Sequence, residues 1–237
     1  MNHSALSHPQ NAVECDPQTE DKQLQAFWTR TYSLGGATLV DEVYAIVLWL
    51  VGLVPLAFLL DKAEAAGQRK LEAEQRIALA IRRRFPGVKI TPQVPIEGTS
   101  RYLDLFVELP EQRFFLILIR APEKGVIFYN EEREVICLRR GRKLGITYYD
   151  RPDLISEAKE YEHWIRKNRR DLFGGTSRGA KRPALRLLVI AQPTQIRPMP
   201  EHLYDTVNNL KVPFIRNSKG STYLLLEEQL CKFLAAK

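Results

Sequence analysis

RYLDLFVELPEQRFFLILIRA, residues 101–121, contains two apolar runs, RYLDLFVEL (101–109) and RFFLILIRA (113–121), joined by a short polar turn. Runs of eight or nine residues rich in aliphatic and aromatic side chains, broken by a Pro-Glu-Gln turn, predict a β-hairpin inside a sheet. One residue breaks the pattern. Asp104 sits between Leu103 and Leu105-Phe106, so it is either the solvent-facing member of an alternating strand or a charge held by the core for a purpose.

Working outward, the stretch 61–85, DKAEAAGQRKLEAEQRIALAIRRRF, is composed of strong helix formers and ends at Pro86-Gly87. Leu71, Ala78, Ile81 and Phe85 fall near one face, which predicts one long amphipathic helix. VKITPQVPI (88–96) and GVIFYNEEREVICLRRG (125–141) flank the hairpin and read as further short strands, so that 88–141 is expected to form a meander. Residues 153–170 return to helical period, with Leu154, Ala158, Tyr161 and Ile165 on one stripe and Pro152 near the start. A basic loop follows. ALRLLVIAQP (184–193) is the uninterrupted apolar run of a strand buried on both faces. The chain then offers a short strand, a turn at 218–220 and a closing helix. The class predicted is α/β.

The charge is unevenly spread. Across 237 residues there are 35 Lys and Arg against 28 Asp and Glu, a formal net charge of +7. Residues 1–60 hold only Lys22 and Arg30 as cations beside Glu14, Asp16, Glu20, Asp21, Asp41 and Glu42, so the basic excess belongs to 61–237. VYAIVLWLVGLVPLAFLL (43–60) carries no charge and is just long enough for a helix to cross a hydrocarbon core. Lys62, Arg69, Lys70 and Arg76 follow it, whereas Arg30 alone stands within about 20 residues before it, the range over which the positive-inside bias acts. The expectation is a single-pass membrane protein: a polar tail and pre-membrane segment (1–42), one transmembrane helix (43–60) and a cytoplasmic domain (61–237). A buried hairpin helix or oligomer core is the competing reading of the same run. Three cysteines and four histidines with no CxxC or HxxxH spacing exclude a zinc-finger framework and a disulfide scaffold; Cys137 and Cys231 read as small core residues.

The order helix, strand, hairpin, helix, buried strand resembles the PD-(D/E)XK nuclease superfamily, and within it the nuclease-related domain called NERD, over roughly residues 64–230. The resemblance implies a restriction-endonuclease-like mixed sheet flanked by helices. It also implies a site: a helix glutamate falls on Glu74, the strand aspartate on Asp104, the Glu-x-Lys of the second strand on Leu118-Ile119-Arg120, and a Gln-x-x-x-Tyr-like pair on Glu157 and Tyr161. In an active member two carboxylates hold a divalent cation and the lysine assists water and phosphate. Leu118 supplies no oxygen and Arg120 stays protonated. The expectation is therefore a catalytically degenerate centre without a cofactor, with Mg²⁺ on Asp104 only if Glu74 and Glu157 rebuild an active one. No acid occurs between Gln112 and Pro122, and Glu108 and Glu111 lie at the turn end of the hairpin.

Each residue also has an ordinary reading: Glu74 as a solvated helix charge, Asp104 as a surface strand residue, Arg120 as a partner of Glu108 or Glu123. Three basic clusters stand between 133 and 186: Arg139, Arg140, Arg142 and Lys143; Arg166, Lys167, Arg169 and Arg170; and Arg178, Lys181 and Arg182. They are candidates for binding DNA or RNA by counterion release. The same clusters suit anionic lipid headgroups at the membrane surface, and RKNRR at a helix end complements the helix dipole. A membrane scaffold completed by a partner protein is the remaining expectation.

Overall fold

The computed structural model describes residues 54–99, 101–140, 146–149, 153–176 and 178–237, with the backbone alone for 54–61, 146–149 and Ala180. The chain divides into a unit of residues 1–59 and a compact unit of residues 60–237. Of the expected membrane span 43–60, residues 43–53 lie outside the described residues and 54–60 begin a helix. Among the described residues no helix is long and apolar enough to cross a membrane.

Helix α1 (Val54–Arg84) ends in Arg82, Arg83 and Arg84, cations placed against the negative end of the helix dipole. Ala73, Ile77, Ala78 and Ile81 are buried at helical spacing, and Glu74 shares the same stripe at i, i+3, i+4 and i+7. Three strands follow: β1 (Lys89–Pro95), β2 (Tyr102–Leu109) and β3 (Arg113–Arg120). They form the expected antiparallel meander, with Leu105 opposite Ile117 across the hairpin.

The meander stops there. β4 (Val126–Asn130), β5 (Val135–Arg139) and β6 (Ile146–Tyr149) leave it for a second sheet, closed by the short β8 (Gln195–Ile196), in the order β6-β5-β4-β8. The main sheet is instead continued by β7 (Ala184–Ile190), β11 (Gly220–Leu226), β10 (Leu210–Asn217) and β9 (Tyr204–Val207), giving the order β1-β2-β3-β7-β11-β10-β9. β7 pairs in parallel with both β3 and β11. A central parallel strand is covered on both faces, and the uninterrupted apolar sequence of 187–190 is what that position requires.

Two apolar clusters line the two faces. On one side α1 and α3 (Glu227–Ala236) pack on Leu105, Val107, Phe115, Ile117, Leu187 and Val189. On the other, α2 (Leu154–Asn168) and the second sheet pack on Phe106, Leu116, Leu118 and Leu188. Asp153 caps α2, its carboxylate accepting from the Ser156 N–H at 2.9 Å. The result is an α/β fold: a mixed seven-stranded sheet with helices on both faces. Cys137 is buried in β5 and Cys231 is half-buried in α3.

Candidate functional site

Strand alternation aims Asp104, Leu118 and Arg120 at the same face of the main sheet, and the β2–β3 register, extended by one pair, sets Leu118 opposite Asp104. Glu74 reaches the same end of the sheet from α1, and Glu157 reaches it from the first turn of α2. The four residues expected from the sequence therefore lie along one line of contacts, Glu74 joined to Asp104 through Lys70 and Asp104 to Glu157 through Arg120. Asp104 and Glu74 are 0% and 1% exposed, so neither is a surface charge.

The side chains form a row of alternating sign. Lys70, one helical turn before Glu74, places Nζ 3.6 Å from Glu74 Oε1 and 2.6 Å from Asp104 Oδ1. The other Asp104 oxygen, Oδ2, accepts from the Ile119 N–H at 2.5 Å and lies 3.7 Å from Arg120 Nη1. Arg120 then donates through Nη2 to Glu157 Oε2 at 2.8 Å, and through Nη1 to the Ile119 carbonyl at 3.0 Å. Glu157 Oε1 accepts from the Tyr161 hydroxyl at 2.5 Å. Arg120 thus pairs with Asp104 and Glu157, not with Glu108 or Glu123; Glu108 faces Lys89 at 3.7 Å, and Glu111 faces Arg113 at 3.1 Å at the far end of the hairpin.

Two further residues complete the site. Tyr102 presents its ring 4.6 Å from Lys70 Nζ and its hydroxyl at 3.5 Å. Gln93 lies across from Asp104 in the β1–β2 register, with φ at +46°, and donates from Nε2 to Glu74 Oε2 at 3.2 Å. A non-glycine residue in that region carries a local conformational cost, of order 1 kcal/mol or more, which surrounding contacts have to offset.

The titration of the row follows from its burial. Desolvation, reinforced by the Asp104 carboxylate, pushes Glu74 up to about 7. Burial works against the Lys70 ammonium, but the Asp104 carboxylate outweighs it and the pKa is raised. Burial and the Glu157 carboxylate raise the Tyr161 phenol. At neutral pH Lys70 therefore keeps its charge, and Glu74, close to its midpoint, is divided between its two forms.

A carboxyl whose pKa is raised on folding binds more protons in the native than in the unfolded chain. Stability then falls as pH rises from about 4.5 to about 7. Glu74→Gln, which keeps the shape and cannot ionise, is expected to match the parent near pH 5 and to exceed it by about 1–3 kcal/mol at pH 8, the converted magnitude of a shift of this size. Urea unfolding at the two pH values, followed by circular dichroism, checks this. Greater stability of the parent at pH 8 would mean that the Lys70 contact outweighs desolvation.

Chemically, Asp104 and Glu74 are two carboxylates facing one cation, and that cation is an ammonium of the chain itself. A hard divalent ion takes six or more oxygens. Here Leu118, opposite Asp104, contributes aliphatic surface to the apolar cluster, and no group of three His, Cys, Asp or Glu gathers among the described residues. The donor set does not fit Mg²⁺ while Lys70 holds its place.

The basic clusters are used unequally. Arg166 pairs with Glu162 at 2.7 Å and lies over the Phe173 ring at 4.9 Å, and Arg169 pairs with Asp171 at 2.8 Å. These two guanidinium groups belong partly to the local fold. Arg139, Arg140, Lys167, Arg170, Arg178 and Lys181 are exposed and Arg182 is half-buried, while Arg142 and Lys143 lie outside the described residues. The second and third clusters meet where the end of α2 is followed by the 3-10 turns Arg170–Phe173 and Gly179–Lys181.

Lys70, Tyr102 and Gln93 are the residues that sequence reasoning missed. The signal for Lys70 is its i, i+4 spacing to Glu74, which puts both on one helix face. Gln93 has no such signal, because its role depends on a left-handed backbone in a strand. Compared with known proteins, the chain matches no family model, no curated protein and no solved structure.

Proposed function

We propose that residues 61–237 form a cytoplasmic, restriction-endonuclease-like domain of the NERD kind, held at a membrane by 43–60, that binds nucleic acid without cleaving it. The observation that carries this reading is the position of Lys70, 2.6 Å from Asp104 and 3.6 Å from Glu74. An internal ammonium neutralises the carboxylates that a catalytic metal ion would need. Arg120, already held by Glu157 and Asp104, adds positive charge on the same side of the sheet. The exposed cations of the second and third clusters supply the sequence-independent attraction to phosphates.

The test uses the full chain in detergent, with fluorescein-labelled DNA and RNA oligonucleotides in the presence of Mg²⁺ or Mn²⁺. The expected result is binding whose log affinity falls linearly with log salt, and intact oligonucleotides after incubation. Cleavage that disappears in Asp104→Ala would overturn it. Attachment to phosphatidylserine vesicles with no oligonucleotide binding would transfer the basic surface to lipid.

One observation favours an active Mg²⁺-dependent nuclease as the second reading. Lys70 is 27% exposed, so its ammonium has a route out to solvent, leaving Asp104 and Glu74 to a metal ion. The cleavage assay separates the two readings.

A further inference from the structure

Beside the charged row, the β1–β2 turn and the outer face of α2 enclose an open groove of about 640 Å³. That volume is in the range of sites that take small molecules or short polymer segments. Its floor is apolar and aromatic, made by Ile96, Tyr161 and Trp164. Arg101, Lys159 and Lys219 stand on its rim. Glu97 and Glu160 share the rim, leaving the cations in excess.

Two of these cations are uncommitted: the Arg101 guanidinium and the Lys159 ammonium, both exposed, form no ion pair with a described residue. Lys219 lies 4.0 Å from Asp153. The indole of Trp164 is half-buried against the apolar cluster below it, so its ring is held in place by packing while part of it faces the groove. Tyr161 belongs to both regions. It lines the groove and donates to Glu157, which holds Arg120.

We propose that this groove seats an unpaired nucleotide of a single strand, with its base against the Trp164 indole and its phosphate between Arg101 and Lys159. The inference rests on the nucleic-acid reading above and narrows it to single strands. An indole fixed at the bottom of a groove can stack only on a base whose face is free. In a duplex both faces of each internal base are covered by its neighbours. A cationic rim around an aromatic floor matches the two halves of a nucleotide, and because every base has a π-face the site carries no sequence preference of its own.

The experiment measures fluorescence anisotropy of a labelled ten-nucleotide oligothymidine, and of a blunt duplex, against the full chain in detergent. The parent is expected to hold the single strand more tightly than the duplex. Trp164→Leu should weaken the single strand at least about fivefold, the lower end of what one stacked base contributes, and the duplex less than about twofold. Trp164→Phe, which keeps an aromatic face, should restore most of the loss. Lys159→Gln, at an exposed position, should weaken the single strand and reduce its salt slope by about one, the mark of a lost phosphate contact.

If Trp164→Leu does not fold, as judged by circular dichroism, the salt slope of Lys159→Gln decides. Unchanged single-strand binding in these variants, or equal losses for duplex and single strand, overturns the groove assignment while leaving nucleic-acid binding intact. If the parent binds neither polymer, the broader reading falls and this one falls with it.

Discussion

Asp104→Ala is expected to destabilise the domain by about 3–5 kcal/mol, the cost typical of removing one partner from a buried ion pair. The residue is fully buried and serves three groups together: the Lys70 ammonium, the Arg120 guanidinium and the Ile119 N–H. Alanine leaves two cations facing each other across a void and a backbone donor without its acceptor. Asp104→Asn keeps an oxygen for Ile119 but drops the charge, so a smaller loss of about 1.5–3 kcal/mol is expected, in line with hydrogen bonds to charged groups. Urea midpoints for both variants provide the measurement. A change below about 1 kcal/mol for alanine would show that the row of charges makes no net contribution, as happens when desolvation cancels attraction.

The second large effect is expected from Lys70→Met. Methionine keeps most of the length and apolar surface of the lysine stem but removes the ammonium between Glu74 and Asp104. At pH 8 ionising two buried carboxyl groups side by side then costs more, because Glu74 titrates higher still without the ammonium, and a loss of about 3–5 kcal/mol should follow. Near pH 5 the loss should shrink, because a protonated Glu74 no longer repels Asp104; the direction agrees with the raised pKa of Glu74 in the parent. The emptied anionic space should also accept a divalent ion. Millimolar Mn²⁺ is expected to raise the melting temperature of Lys70→Met and to leave the parent unchanged, since a ligand stabilises only the state that binds it. An equal rise in both proteins would mean that lysine does not stand in the place of the cation.

The fold was readable where periodicity and element type coincide. The apolar runs of β2, β3 and β7 and the amphipathic pattern of α2 need no partner to be recognised. Pairing is a different matter. Nothing in GVIFYNEEREVICLRRG says that β4 and β5 abandon the meander for β8, because strand pairing is decided by distant residues; β8 itself is two residues long. The site shows the same division. Asp104 is marked by a charge breaking an apolar pattern, whereas Arg120 and Glu157 are marked by the resemblance alone. Glu74 stands among the many charges of QRKLEAEQR, where its ordinary reading is a solvated helix charge; its place on the buried stripe at 74, 77, 78 and 81 overturns that reading. Lys70 was missed for the same reason, since a lysine one turn from a glutamate is more often a surface pair.

The parallel pairing of β3 with β7 joins positions 70 residues apart, Phe114 with Ala184 and Arg120 with Ile190. During synthesis at about 5–20 residues per second, β3 therefore waits roughly 4–14 seconds for the neighbour that covers its open edge. FFLILI (114–119) is uncharged, free of proline and rich in β-forming side chains, the type of segment that associates with copies of itself when left uncovered. The nascent chain is at greatest risk of aggregation in that interval. Slower decoding between 121 and 184 lengthens the exposure, and a chaperone that shields the unfinished hairpin shortens its effect.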